Sequence, residues 1–166
     1  MEAPWFEAGP SGRIAQQGDF GGKAEVTLNA FFDSSALAKR YLEEKGSDQV
    51  QAILFSASSL AVSVICVPEI VSALCRRRRE RKLSTEEYRT AKASVLSDID
   101  DATVIGITEQ VIARAVALLE QFPLRSSDAL HVACASEWST DLFVSADDRQ
   151  CRAARAHGLR VEVIRV

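Results

Sequence analysis

From residue 26 onward, short β-branched or aromatic runs alternate with longer stretches of helical pattern, and this alternation constrains the fold more than any other feature of the chain. A strand that is followed by a helix must cross back before the next strand can pair. Neighbouring strands are then parallel, and the crossover helices cover both faces of their sheet. The expected strands are Val26 to Phe32, Leu60 to Ile65, Thr103 to Ile107, Leu142 to Ser145 and Arg160 to Ile164. Helices are predicted from Ser34 or Ser35 to about Glu44, closed by Gly46; from Asp48 to Phe55 behind a Ser47 cap; and from Pro68 to Lys82. Ser84-Thr85-Glu86-Glu87 is a capping box opening a helix to about Ser97, and Thr108 caps Glu109 to Gln121, with Val111, Ile112, Ala115, Leu118 and Leu119 as its apolar face. Ser126 or Ser127 starts a helix through Glu137, and Asp147 to Ala156 is stopped by Gly158. The fold class is α/β: a three-layer sandwich with a largely parallel five-stranded sheet between helices.

A chain of 166 residues with 47% hydrophobic and 26% charged side chains suits one core, so residues 25 to 166 are read as a single domain. Residues 1 to 24 hold five of the eight glycines and two of the four prolines without a sustained period, which reads as a flexible tail. The net charge of −3 excludes attraction of nucleic acid by bulk charge, so any such binding is local. Cys66, Cys75, Cys134 and Cys151 show no CxxC spacing, and with only two histidines they suggest reduced, buried thiols rather than zinc. No apolar run reaches the length of a membrane span and the first residues lack a secretory layout, so a cytoplasmic protein is expected.

In a parallel sheet, ligands bind beyond the carboxyl ends of the strands. Four carboxylates fall in that zone: Asp33 after the first strand, Glu69 opening the helix after the second, Asp128 opening a later helix, and Asp147 after the fourth strand. Each taken singly is explained as a helix-terminal anion stabilised by the macrodipole, worth about 0.3 to 1 kcal/mol. Taken together they would repel one another unless a cation sat between them. Hard oxygen donors select Mg2+ or Mn2+, and the usual chemistry of such a site is activation of water against a phosphodiester.

The segments Phe32-Asp33-Ser34-Ser35-Ala36-Leu37 with Lys39-Arg40-Tyr41, Pro68-Glu69-Ile70-Val71-Ser72-Ala73-Leu74, Leu124-Arg125-Ser126-Ser127-Asp128-Ala129-Leu130-His131, and Phe143-Val144-Ser145-Ala146-Asp147 before Gly158-Leu159 resemble the PIN-domain ribonucleases, and among them the VapC-type toxins of bacterial toxin–antitoxin pairs. The resemblance runs from about residue 28 to the C-terminus, and it is the ordered set of segments that carries it. It implies a PIN-like fold and a metal site of Asp33, Glu69, Asp128 and Asp147, with Ser145 also facing the site. It also implies RNA as substrate, an antitoxin as partner and a homodimer, with the antitoxin's apolar segment between the early helices, about Ser34 to Phe55, and the helix beyond Pro68. Asp148 follows Asp147 directly, so either is available as the fourth acid; counting from Ser145 by the family pattern selects Asp147.

The leading expectation is a metal-dependent endoribonuclease that leaves 5′-phosphate and 3′-hydroxyl ends, with Glu69, Asp33 and Asp128 around the main ion and Asp147 binding a second ion or orienting water. A general RNA-processing nuclease and a PIN-like scaffold that only binds RNA or protein are the alternatives. An aspartyl phosphotransferase is disfavoured because position 35 is Ser35 rather than a second acid. Arg76, Arg77, Arg78, Arg79, Arg81 and Lys82 stand against Glu80 alone, which reads either as a solvated helix end or as a phosphate contact beside the acids. His131 is expected to pack or hydrogen-bond beneath the site, His157 to favour a helix end, and Trp138 to pack.

Overall fold

The computed structural model describes residues 27–165. The proposed tail and the start of the first expected strand at Val26 lie outside the described residues. The strands are β1 Asn29–Phe32, β2 Ser59–Ser63, β3 Thr103–Ile105, β4 Leu142–Ser145 and β5 Val161–Val163. They form one sheet in the order β3-β2-β1-β4-β5, and every pairing is parallel. The chain builds outward from β1 to β3 and then returns to the other side of β1. The carboxyl ends of β1 and β4 therefore flank the point where the winding reverses, which is where an open α/β sheet leaves a crevice.

The helices are α1 Ser34–Leu37, α2 Ser47–Ser56, α3 Cys66–Arg79, α4 Thr85–Asp100, α5 Glu109–Gln121, α6 Ser126–Glu137 and α7 Asp148–Ala156. The Ser84 capping box and the Thr108 cap form as expected, each hydroxyl accepting from the amide three residues on. The two-residue period of the strands divides the core between the sheet's faces. Ala30, Phe32, Val62 and Val144 pack under α1 to α4 with Leu37, Val50, Ile70, Leu74 and Val95. Phe31, Ala61 and Phe143 pack under α5 and α6 with Val111, Leu118, Val132 and Ala133. The Phe31 and Phe143 rings stack, with centroids 5.9 Å apart, and face each other in the β1–β4 register.

Several sequence expectations are corrected. The first helix does not reach Glu44: α1 gives way to a 3-10 turn at Ala38–Arg40, and its cap is Asp33, not a serine. Lys39 is the reason for the early turn, since its buried ammonium is bound by Glu44 at 2.9 Å and the chain must curl to bring them together. Gly46, with φ +91, starts α2 instead of closing α1. Ser47 is the first residue of α2, and its hydroxyl donates to the carbonyls of Lys39 and Leu42. Arg125 and Asp147 occupy the cap positions of α6 and α7. On α5, Val111, Ala115 and Leu118 are buried while Ile112 and Leu119 are exposed, because only one narrow stripe of a surface helix meets the core. All four cysteines are free, and Cys75 is half-buried rather than buried. Trp138 packs on the α5–α6 core.

Candidate active site

The site begins where β1 ends. Asp33 continues the ladder, its amide donating to the Val144 carbonyl at 3.0 Å, and its side chain then turns back to cap α1 by accepting from the Ala36 amide at 2.8 Å. The remaining contacts come from two serines. Ser35 Oγ donates to the carboxylate at 2.8 Å, and Ser145 Oγ at the end of β4 donates to Oδ2 at 3.0 Å. Ser145 also accepts from the Asp147 amide at 3.0 Å, while Ser35 accepts from the Ala146 amide at 3.0 Å. Two hydroxyls thus tie the start of α1 to the β4–α7 turn.

Asp33 is only 3% exposed, and among the described residues no lysine or arginine pairs with it. Burial raises its pKa, and this outweighs the charge of His131 and the hydrogen bonds from Ala36, Ser35 and Ser145 that favour the anion. A carboxylate in this position is held in place but not neutralised.

Glu69, in the first turn of α3, is held differently. Its Oε2 accepts from Ser34 Oγ at 2.6 Å and lies 2.8 Å from His131 Nε2 on α6. Burial pushes Glu69 upward, but hydrogen bonds from His131 and Ser34 and the His131 charge together bring its pKa to about 2. His131 is 1% exposed, as expected for a residue bonding beneath the site, and its Nδ1 is buried without a partner among the described residues. Asp128 Oδ2 accepts from the Arg125 amide at 3.1 Å. Asp147 Oδ1 accepts from the amides of Arg149 and Gln150, and Oδ2 pairs with the Arg149 guanidinium at 3.3 Å. Burial raises the Asp147 pKa, but these hydrogen bonds and the Arg149 charge outweigh it and leave the pKa lowered.

All four acids line one cavity of about 510 Å³, together with Ser34, Ser35, Ser127, His131 and Gln150. Asp147 is among them; Asp148 is exposed in the first turn of α7. Ser145 lies beneath this floor, fully buried, and reaches it through Asp33. The exposed side chains of Arg76, Arg79 and Arg125 line the same cavity. The structure thus brings Asp33, Glu69, Asp128 and Asp147 around one space. Among the described residues no three His, Cys, Asp or Glu side chains approach closely enough to enclose a single ion. The donor chemistry nevertheless suits a hard divalent ion: carboxylate and hydroxyl oxygens predominate, and among the described residues no thiol lines the cavity and no lysine or arginine pairs with the buried Asp33.

Ser34 and Ser35 were read from sequence only as helix caps. Their signal was a pair of hydroxyls directly after a strand-ending acid, which places one on each of two different carboxylates. A larger groove of about 810 Å³ lies apart from the acids, between Arg40 to Glu43 and α4, and is crossed by the Arg40–Asp98 ion pair.

The PIN domain family profile matches residues 30–156. The chain belongs to the PIN domain family. That span contains every acid of the cavity and ends with α7. Over 133 residues the chain is 29% identical to Ribonuclease VapC46 of Mycobacterium tuberculosis, an alignment that covers 79% of this chain and 94% of that protein. The crystal structure of VapC20 of Mycobacterium tuberculosis, described as a Sarcin-Ricin loop cleaving toxin, superposes with a TM-score of 0.59 at 18% identity, covering 78% of this chain and 95% of that one. DNA-bound VapBC from Salmonella typhimurium gives 0.59 at 14% identity, covering 84% and 100%. At these identities the two structures support the PIN fold of this chain.

Proposed function

We propose that this protein is an endoribonuclease that depends on Mg2+ or Mn2+ and acts as the toxin of a toxin–antitoxin pair. The observation that carries the reading is Asp33: a buried carboxylate at the reversal point of a parallel sheet, fixed by Ser35 and Ser145 and paired with no lysine or arginine among the described residues. Such a group is costly unless a ligand supplies positive charge. Asp33, Glu69, Asp128 and Asp147 would hold the ion, whose contribution when bound is Lewis-acid activation of water and stabilisation of charge on phosphodiester oxygens.

The chain's own residues perform the positioning. Ser145 and Ser35 hold Oδ2 of Asp33, and the Ala36 amide holds Oδ1 and stops the carboxylate from rotating away. His131 and Ser34 keep Glu69 ionised and aimed from α3. Asp147 stays ionised at the start of α7, where it would orient water or hold a second ion. Cleavage in this scheme leaves 5′-phosphate and 3′-hydroxyl ends.

The role as a toxin draws support from VapC46, which is named a ribonuclease, and from a solved neighbour of Mycobacterium tuberculosis described as a member of the VapBC family of toxin–antitoxin systems. The antitoxin's apolar segment would lie between about Ser34 to Phe55 and the helix beyond Pro68, which is α3, and a homodimer belongs to the same proposal. No described helix is long and apolar enough to cross a membrane, and a cytoplasmic setting is part of the proposal. The test is cleavage of a mixed RNA pool with Mg2+, with a chelator, and by Asp33→Asn and Asp128→Asn. Cleavage is expected only with the ion, and should fall by orders of magnitude in both variants. Undiminished cleavage by both, with contaminating nuclease excluded, removes the assignment.

A further inference from the structure

The run from Arg76 to Lys82 resolves into two groups of cations. Arg77 is bound to Glu44, Arg78 lies over the Tyr88 ring with its guanidinium carbon 4.6 Å from the centroid, and Lys82 pairs with Glu80 at 2.9 Å. These three are engaged in holding the end of α3 against its surroundings. Arg76, Arg79 and Arg81 are not: all three are exposed and make no ion pair or side-chain hydrogen bond among the described residues, and of the three Arg76 and Arg79 belong to α3. Being three residues apart on a helix, they share a face, and that face borders the acidic cavity. From α6, Arg125 lines the same cavity, likewise without an ion pair among the described residues.

A solvated helix end accounts for cations near the last turn of α3, but not for this division. Helix-dipole stabilisation is indifferent to the direction in which a cation projects. Arg77 also borders the acidic cavity but its guanidinium is taken up by Glu44, and that of Arg78 is taken up by the Tyr88 ring, whereas Arg76 and Arg79 border the cavity unengaged, where the carboxylates would otherwise repel a polyanion. Guanidinium groups suit this place better than ammonium groups, since each presents a planar fork matched to phosphate oxygens. Two cations at i and i+3 have about the spacing of successive phosphates along an extended single strand.

We propose that Arg76 and Arg79 grip backbone phosphates on one side of the scissile bond and Arg125 grips the strand on the other, so that single-stranded RNA crosses the cavity from α3 to α6. This rests on the ribonuclease reading and adds to it the direction of the strand and the residues that position it. The contacts are to phosphate, so they confer affinity and register without base preference.

The test is binding of a fluorescent single-stranded RNA, followed by anisotropy in chelator so that no cleavage intervenes, across a series of salt concentrations. Arg76→Gln combined with Arg79→Gln should weaken binding roughly tenfold, equally for oligonucleotides of different base composition, and should reduce the slope of log K against log salt by about 1.4, or 0.7 for each lost contact. Arg125→Gln should reduce it by about 0.7. Arg78→Gln combined with Arg81→Gln removes the same charge from the same run and should leave the slope unchanged. Equal losses in the two double variants would make the effect one of bulk charge and overturn the proposal. Unchanged RNA binding by the Arg76 and Arg79 variant, whether or not it loses a co-purifying protein partner, also overturns it. In either case, wild-type protein that still cleaves RNA leaves the ribonuclease reading standing; wild-type protein that neither binds nor cleaves RNA removes both.

Discussion

Ser145 Oγ donates a 3.0 Å hydrogen bond to Asp33 Oδ2 and accepts one from the Asp147 amide, so a single hydroxyl joins the acid after β1 to the acid after β4. Ser145→Ala leaves one buried carboxylate oxygen short of a donor and one amide without its acceptor. A loss of about 1 to 2 kcal/mol is expected in chemical denaturation, with RNA cleavage reduced roughly ten- to a hundredfold as Asp33 loses its fixed orientation. Loss of stability with full activity would show that the serine supports the turn alone.

Because the Asp33 pKa is raised, its ionisation costs the fold stability, a cost that appears as pH rises above the ordinary value of 3.8 and is complete above the folded value. Asn caps a helix as well as Asp does. Asp33→Asn should therefore raise the melting temperature of metal-free protein at neutral pH, corresponding to about 1 to 3 kcal/mol, and added Mg2+ should stabilise wild type more than the variant. The expected origin is burial of a single unmatched charge rather than mutual repulsion of four, since the acids are individually hydrogen-bonded. Calorimetry with and without the ion checks both halves.

Glu69 has the opposite sign. Its pKa is depressed from 4.5 to about 2, so its contribution to stability is full above about pH 4.5 and is lost as pH falls toward 2. His131→Ala removes the main donor. Metal-free protein should then melt lower at neutral pH, and its melting temperature should fall less steeply between pH 4.5 and 2 than that of wild type. An unchanged slope would assign the hold on Glu69 to Ser34.

What the sequence made legible was what local chemistry decides. The Thr108 hydroxyl and the Ser84 capping box each act within a few residues of their own position, and their elements fall where expected. The four acids were visible for the same reason, as polar residues following apolar runs. Partnerships between distant segments were hidden. Nothing near Lys39 says that it will be buried against Glu44 and shorten the first helix, and nothing near Glu69 says that His131, 62 residues later, will fix it. The split within the arginine run was also invisible, because it depends on where Glu44 and Tyr88 arrive.

Gly46 and Gly158 offer a matched pair for strain. Both have positive φ, +91 and +89, but a Cβ on Gly46 would meet Ile164 Cγ2 at 2.5 Å while one on Gly158 would enter open space. Gly158→Ala should cost about 1 kcal/mol from backbone strain. Gly46→Ala should cost at least about 1 kcal/mol more, the increment arising from collision with the buried end of the chain. Urea denaturation of the two variants separates the contributions.

Expression of this chain alone is expected to slow bacterial growth, and co-expression with a cognate antitoxin to restore it through a complex that purifies intact. Harmless expression of folded protein that cleaves RNA would favour a general RNA-processing nuclease.

The pairing of Asp33 with Ser145 also fixes when, during synthesis, the site can exist. The two residues are 112 positions apart, and the register that opposes Phe31 to Phe143 is what brings them level. A ribosome that has delivered β1, β2, β3 and six helices has made most of the protein and no complete site. Only after β4 emerges and slots beside β1 does Asp33 acquire its second serine and Asp147 its place. On the ribonuclease reading, the nascent chain would pass through most of its translation without a complete site, and any fragment ending before Leu142 lacks the Ser145 contact altogether.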